Sequence, residues 1–282
     1  MSARTRSKVT GMLGEWFMAA KVQSERAFTT VNASARKFTF CTLTLCAAQM
    51  HSDNHLKRHG LSRFILECER KQGVKDWFWR AEPQRNGNVH FHILLSKSIP
   101  HEWVRSTWNK ILADLGYLHI YKQSRELEFK HGFKPSQNKY DKRTIAQQVE
   151  AYRKGVACNW SNPNSTDIHG LQKCKNAAAY VCKYATKDTA TRKIEGRIWG
   201  CTDDLRQLKT PEVGVNEDFI RCLNSAALLG DVELIDAEHV AIFRGNIPKL
   251  LEWLAPELLA SLELYYEDIG NWLSTFTRST TQ

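Results

Sequence analysis

Residues 37–46, Lys-Phe-Thr-Phe-Cys-Thr-Leu-Thr-Leu-Cys, alternate with a period of two and are rich in β-branched and aromatic side chains, which predicts a strand. Two more strand patterns, Asp76 to Glu82 and Val89 to Ser96, flank Arg85-Asn86-Gly87-Asn88, whose Asn-Gly pair marks a hairpin. Helical spacing predicts helices over Leu56 to Lys71 (ending at Gly73), His101 to Leu115 (stopped by Gly116), Thr144 to Arg153 and Leu171 to Lys187. Tyr117 to Lys130 alternates like one or two strands. Trp160 to Gly170 is a loop on its Asn, Pro and Ser content and leads toward a short strand. The basic residues 1–36 predict an arm or flexible lead-in, with one helix from about Met12 to Arg26. After Gly200 the pattern changes: residues 217–274 set Leu250, Leu251, Trp253, Leu254, Leu258 and Leu259 at helical spacing, which predicts two to four helices. The expected architecture is α+β: an antiparallel sheet with flanking helices over residues 37–209, then a small acidic helical appendage at 210–282.

Charge sharpens that division. Residues 210–282 hold four of the 40 basic residues and twelve of the 30 acidic ones, so they carry −8 while the first 209 carry +18. A basic body of that size is the electrostatic footprint of a polyanionic partner. The apolar fraction of 42% suits a packed core rather than a disordered chain. Eight cysteines form no Cys-x-x-Cys pair, which argues against a zinc ribbon and a secreted disulfide framework, and they read as reduced, buried apolar residues. No apolar run is long enough for a membrane span, and no apolar signal core follows the basic Met1 to Lys8, so a cytoplasmic or nuclear protein with no membrane partner is expected.

The candidate chemistry lies in two places. In His90-Phe91-His92 the imidazoles share one face of a strand, and Phe91 points the other way with Ile93 and Leu95. Two imidazoles so spaced on a rigid strand suit a divalent cation. The preceding strand adds Glu82. If Trp77 and Trp79 share the core face with Phe91, Ile93 and Leu95, then Glu82 shares the other face with the histidines. A plain two-residue turn would pair Glu82 with Phe91 instead, so an odd-length loop or a bulge is required. The bland alternative for Glu82 is a salt-bridged surface carboxylate. The second place is Tyr180-Val181-Cys182-Lys183-Tyr184-Ala185-Thr186-Lys187, where Tyr180, Lys183, Tyr184 and Lys187 form one helical stripe. Two phenols beside two ammonium groups suit phosphoryl transfer, because nearby positive charge favours a phenolate whose parent pKa is about 10. The stripe also fits a basic surface helix with its tyrosines lying along it.

Together these segments resemble the HUH endonucleases, and among them the rolling-circle replication initiators (Rep proteins) of small phages and plasmids. The matching pieces are Phe40-Cys41-Thr42-Leu43-Thr44-Leu45, His90-Phe91-His92, and the helix Tyr180-Val181-Cys182-Lys183-Tyr184 preceded by Asn164-Ser165-Thr166-Asp167-Ile168-His169. Arg197-Ile198-Trp199-Gly200 is similar to a segment of the phage-type branch. The resemblance covers about residues 37–201. The histidines precede the tyrosines, as in replication initiators and unlike conjugative relaxases. No phosphate-binding Gly-x-x-x-x-Gly-Lys loop is present, which excludes a fused helicase of the kind carried by the Reps of eukaryotic circular-DNA viruses.

The resemblance implies a ferredoxin/RRM-like core. It also implies Mg²⁺ or Mn²⁺ held by His90, His92 and Glu82, and attack by Tyr180 or Tyr184 to leave a 5′-phosphotyrosyl link and a free 3′-OH, with Lys183 and Lys187 balancing phosphate charge. Single-stranded DNA at an origin hairpin, a host helicase and a host polymerase are the implied partners, in the cytoplasm of a bacterial host or in the nucleus if the replicon is eukaryotic. Aromatics such as Trp160 could stack on bases. Asp167 and His169 either complete the site or shape its loop. Two other readings stay open: a two-tyrosine HUH transposase, although such transposases are longer and carry a cysteine-rich zinc region, and a non-catalytic nucleic-acid-binding protein with an incidental His-x-His.

Overall fold

The computed structural model describes residues 2–22, 38–138, 141–169, 171, 180–183, 192–208, 217–230, 232–237 and 240–245. The chain divides into two bodies. One comprises residues 38–171 and 183–202; the other comprises 1–37, 172–182 and 203–282.

The first body is built on a five-stranded sheet: β1 (Thr39–Leu43), β2 (Trp77–Pro83), β3 (Val89–Leu95), β4 (Thr166–His169) and β5 (Trp199–Cys201). Their order is β4-β1-β3-β2-β5, and every neighbouring pair is antiparallel. This is the α+β architecture expected from the pattern of strands and helices. Cys41, Leu43, Trp79, Ala81, Phe91, Ile93 and Leu95 alternate onto one face of the sheet. They form the main core with Leu56, Phe64 and Cys68 from one helical segment and Val104, Trp108, Ile111 and Leu112 from another. The first segment runs through α2 (Asp53–Leu56), a π-helical turn (Lys57–Leu61) and α3 (Ser62–Gln72), and it ends on left-handed Gly73. The second is α4 (His101–Asp114). Trp108 Nε1 donates to Thr44 O at 2.8 Å, so even the indole polar atom is satisfied against the sheet.

Tyr117–Glu128 is a helix, α5, not the strands its alternation suggests. Leu118, Lys122, Gln123, Arg125, Glu126, Leu127 and Glu128 are strong helix formers, and only Tyr117 is buried, so no paired strand face exists to favour the extended form. The helix α6 (Ile145–Ala157) begins with a capping box in which Thr144 and Gln147 satisfy each other's backbone amides.

In the second body, α1 spans Ala3–Val22. It starts earlier than predicted, and Val9, Met12, Leu13, Trp16 and Phe17 are buried at i, i+3, i+4, i+7 and i+8. This segment is therefore a packed amphipathic helix rather than a loose arm. It lies against α7 (Asp203–Gln207), whose Leu205 is buried. After α8 (Glu217–Leu228) come β6 (Val232–Ala237) and β7 (Val240–Gly245), an antiparallel hairpin. An all-helical appendage is thus corrected: Val-Glu-Leu-Ile-Asp-Ala and Val-Ala-Ile-Phe-Arg-Gly are β-branched-rich and only two residues apart, which favours a hairpin over a helix. The helical pattern at Leu250–Leu259 falls outside the described residues.

Cys41, Cys46, Cys68, Cys158, Cys182 and Cys201 are free thiols, and burial pushes the Cys41 thiol up to about 12. No helix among the described residues is long and apolar enough to cross a membrane.

Candidate functional site

The β2–β3 hairpin sets the site. Pro83 pairs with Val89, so the loop has five residues, Gln84 to Asn88. Gly87 takes a φ of 87°, a left-handed value that a side chain would oppose. Gln84 N–H donates to Asn88 O at 2.7 Å and closes the loop. Its odd length brings Glu82 opposite His90 and Arg80 opposite His92. The base of the loop is pinned as well. Asn88 donates from Nδ2 to Ala47 O and accepts from Gln49 N–H, while Gln49 Oε1 accepts from Val89 N–H. The strand ends that carry the functional side chains are therefore held from both sides.

Glu82, His90 and His92 converge. Glu82 Oε2 lies 3.6 Å from His90 Nε2 and 3.4 Å from His92 Nε2. One donor atom from each of the three residues falls within 4.8 Å of the others. Those separations are long for hydrogen bonds. A divalent cation about 2.1 Å from each donor spaces its ligands roughly 3.0–3.5 Å apart, so one cation fits between them. Glu82 is 3% exposed, and its second oxygen, Oε1, is buried with no hydrogen-bond partner among the described residues. A buried carboxylate oxygen left in that state calls for a positive charge. Two imidazoles and a carboxylate suit a divalent cation chemically.

Electrostatics agree with this geometry. Burial pushes the Glu82 carboxyl up, but hydrogen bonds from His90 and His92 outweigh it and hold the group at about 2. His92 moves down from the ordinary imidazole value, first through burial and then through the neighbouring His90 and His169. The site thus pairs an ionised carboxylate with a buried imidazole kept neutral, the form in which an imidazole binds metal.

β1 and β4 extend the polar face. Thr42 sits opposite His92 on one side and Asp167 on the other. Its hydroxyl lies 2.9 Å from His92 Nδ1 and 2.7 Å from His169 Nε2. When His92 Nδ1–H donates to Thr42 and Thr42 donates to His169, the His92 Nε2 lone pair is aimed at the Glu82 side. This is the outer-shell bond that fixes the tautomer of a metal-binding histidine. Burial lowers the His169 pKa despite the opposing charge of Asp167. Of the two residues with an open role, His169 joins this network, whereas Asp167 is exposed on the same strand. Sequence reading did not single out Thr42 or the buried Arg80. Parity held the signal, since a core of Cys41 and Leu43 turns Thr42 toward the histidines.

Of the tyrosine stripe, Tyr180 and Lys183 fall in a short described helical stretch, residues 180–183, with Tyr180 part-buried and Lys183 exposed. Tyr180 belongs to the second body, and Lys183 and the Glu82–His90–His92 cluster belong to the first. Tyr184 and Lys187 lie outside the described residues. Just beyond them, the Arg192 guanidinium grips buried Asp53 at 2.6 and 2.7 Å, and Glu195 N–H donates to the same carboxylate. Lys57 donates to Glu195 O and to Arg197 O. The segment after the tyrosine stripe is thereby tied to the start of α2.

A family model described as a replication-associated protein of the ORF2 group matches residues 38–189, more than half of the chain. No curated protein and no solved structure matches the chain.

Proposed function

The chain belongs to the replication-associated protein family of the ORF2 group, and from that membership we propose that it initiates rolling-circle replication by nicking and rejoining single-stranded DNA through a 5′-phosphotyrosyl intermediate. The observation that carries this reading is the convergence of Glu82, His90 and His92 on the polar face of the sheet. These three residues would hold Mg²⁺ or Mn²⁺. When bound, the cation supplies Lewis-acid charge that polarises the scissile phosphate and offsets its developing negative charge. The imidazole of His92, oriented by Thr42, and the carboxylate of Glu82 fix where that charge sits.

Tyr180 or Tyr184 provides the nucleophile. Its phenolic oxygen attacks phosphorus, the bond from phosphorus to the 3′ oxygen breaks, and the phenolic proton is balanced by the proton gained at the new 3′-OH. The reverse attack by a 3′-OH on the phosphotyrosine rejoins a strand and releases the phenol. A second tyrosine four residues on lets a second strand be taken before the first is released. Lys183 and Lys187 favour the phenolate and offset phosphate charge. The +18 charge of the first 209 residues supplies a salt-sensitive affinity for the strand.

The test is a denaturing gel of the full chain incubated with Mn²⁺ and single-stranded oligonucleotides from the replicon's own hairpins. The expected result is a metal-dependent shifted band that survives in at most one of Tyr180→Phe and Tyr184→Phe and vanishes in the double variant and in His90→Ala/His92→Ala. Absence of any adduct, with salt-sensitive DNA binding intact, would overturn the reading in favour of a non-catalytic DNA-binding protein.

A further inference from the structure

A second feature of the sheet-bearing body lies outside the metal-site residues. A cleft of about 720 Å³ opens between α5, α6 and the loops at residues 129–143 and 158–164. Its volume is in the range of small-ligand sites. Four aromatic rings meet in it. Phe129 and Trp160 stack nearly parallel with centroids 5.3 Å apart, Tyr152 packs against Phe129 at 5.0 Å, and Phe133 packs against Tyr152 at 5.7 Å. None of the four belongs to the main core, and all four keep part of their surface exposed.

The chain departs from ordinary backbone to build this cluster. Asn159 and Trp160 are consecutive left-handed residues, with φ of 48° and 53°, the only non-glycine residues of this kind among those described. A bulky side chain in that region carries strain. The helix beneath leaves room for the indole by using Gly155, where a Cβ would lie 2.0 Å from the ring. Trp160 N–H then donates to Gly155 O at 2.7 Å and locks the turn. Three unusual positions thus serve one part-exposed ring, more than the filling of a surface hollow requires.

The rim supplies charge. Five basic side chains, Arg105, Arg125, Lys134, Arg143 and Lys154, line the cleft against two carboxylates, Glu128 and Asp141. Both carboxylates are already engaged, Glu128 by Arg125 at 2.5 Å and Asp141 by Arg143 at 2.6 Å. The excess is cationic, over an aromatic floor. Flat rings select a flat partner and the surplus cations an anionic one, and an unpaired nucleotide is both. A base inside a duplex cannot present its face to such a floor.

The cleft is also coupled to the sheet. Arg105 of α4 donates to Asn162 O and Pro163 O, Asn109 donates to Pro163 O, and Ser165 donates to Asn109. These bonds fix the loop that runs from Trp160 straight into edge strand β4, where Asp167 and His169 stand on the face that carries the histidines.

We propose that this cleft binds an unpaired base and its phosphate from single-stranded DNA, as an anchor separate from the site of nicking. The assignment of DNA rests on the replication reading above; the aromatic and cationic chemistry does not. Binding here is metal-independent, so it can be read with the nicking chemistry switched off.

The experiment uses the full chain in EDTA with a short oligodeoxythymidylate carrying bromodeoxyuridine. Irradiation should crosslink the strand to peptides holding Phe129, Phe133, Tyr152 or Trp160, located by mass spectrometry. In the same buffer, fluorescence anisotropy should show Trp160→Ala binding roughly 5- to 150-fold more weakly than the parent, the loss expected for one stacked base. Trp160→Phe should recover most of that affinity. Phe133→Ala, whose ring contact is with Tyr152 alone, should weaken binding without disturbing the Trp160 turn. Crosslinks confined to other peptides, or folded variants that bind as tightly as the parent, would overturn the proposal. Tighter binding of an oligouridylate of equal length would overturn its assignment to DNA. Loss of the phosphotyrosyl adduct is read separately in Mn²⁺, so either proposal can fail without the other.

Discussion

Thr42→Val isolates the hydroxyl that orients His92, because valine keeps the shape and the β-branch while deleting the oxygen. Thr42 is 7% exposed and His92 4% exposed. Its hydroxyl makes two short contacts, 2.9 Å to His92 Nδ1 and 2.7 Å to His169 Nε2. Removing it leaves a buried ring N–H at His92 without that acceptor, which costs about 1–3 kcal/mol. His169 is only half-buried and can turn to water, so little is added from its side. For a body of this size each kcal/mol corresponds to roughly 2–4 °C in Tm, so a fall of about 2–12 °C is expected. The larger effect is on the cation. Deleting an outer-shell partner of a ligating histidine lowers metal affinity by about 10- to 100-fold. Isothermal titration with Mn²⁺ measures the second quantity and calorimetric melting of the metal-free protein the first. Thr42→Ser keeps the oxygen and should restore both. If Thr42→Val binds Mn²⁺ within twofold of the parent, the hydroxyl does not orient His92. If Thr42→Ser fails as badly as Thr42→Val, the lost methyl rather than the hydroxyl matters.

Three further outcomes follow from the same geometry. Mn²⁺ at about a hundred times its Kd should stabilise the parent by about 2.7 kcal/mol, and Glu82→Gln should abolish that thermal shift; equal shifts in both proteins would remove Glu82 from the ligand set. Burial raises the Asp53 carboxyl, but hydrogen bonds from Arg192, Gln49 and Glu195 outweigh it and hold the group at about 2, whereas an unfolded aspartate titrates near 3.9. Its contribution of about 1–2 kcal/mol, discounted for the partly exposed Arg192, is complete above about pH 4 and is lost as pH falls toward 2; urea melts across that window should show the loss in the parent and not in Asp53→Asn. Gly155→Ala would drive a Cβ to 2.0 Å from the Trp160 ring and should cost about 1–3 kcal/mol in the same melts, while an unchanged midpoint would mean that the indole does not lie on the helix.

What could be read from the sequence divides along physical lines. The sheet was legible because burial writes a period of two, and in the β2–β3 hairpin that period fixed even the parity of the loop. Thr42 was not legible as a site residue, since threonine in a strand is explained by β propensity alone and its role exists only once β1, β3 and β4 lie side by side. α5 was misread because its alternation is local, while what decides between helix and strand is whether a neighbouring strand stabilises the extended form. The β6–β7 hairpin was hidden by the helical pattern on its far side. His169 was left open by the sequence for the same reason as Thr42, since 127 residues separate it from its partner.

The core and the polar face are not independent features of this sheet. Phe91, Ile93 and Leu95 are each fully buried, and burying each is worth about 1.5–3 kcal/mol. A slip of β3 by one residue would turn all three toward the polar face and send His90 and His92 into the core. The penalty is therefore several kcal/mol of lost apolar burial, added to the cost of burying two imidazoles among Trp79, Trp108 and Phe64. Metal coordination contributes nothing to that choice of register, because the same residues alternate whether or not a cation is present. The apolar side chains between the histidines thus hold the imidazoles on the face where Glu82, Thr42 and His169 await them, and substitutions at Phe91 act on the polar site through register before they act through contact.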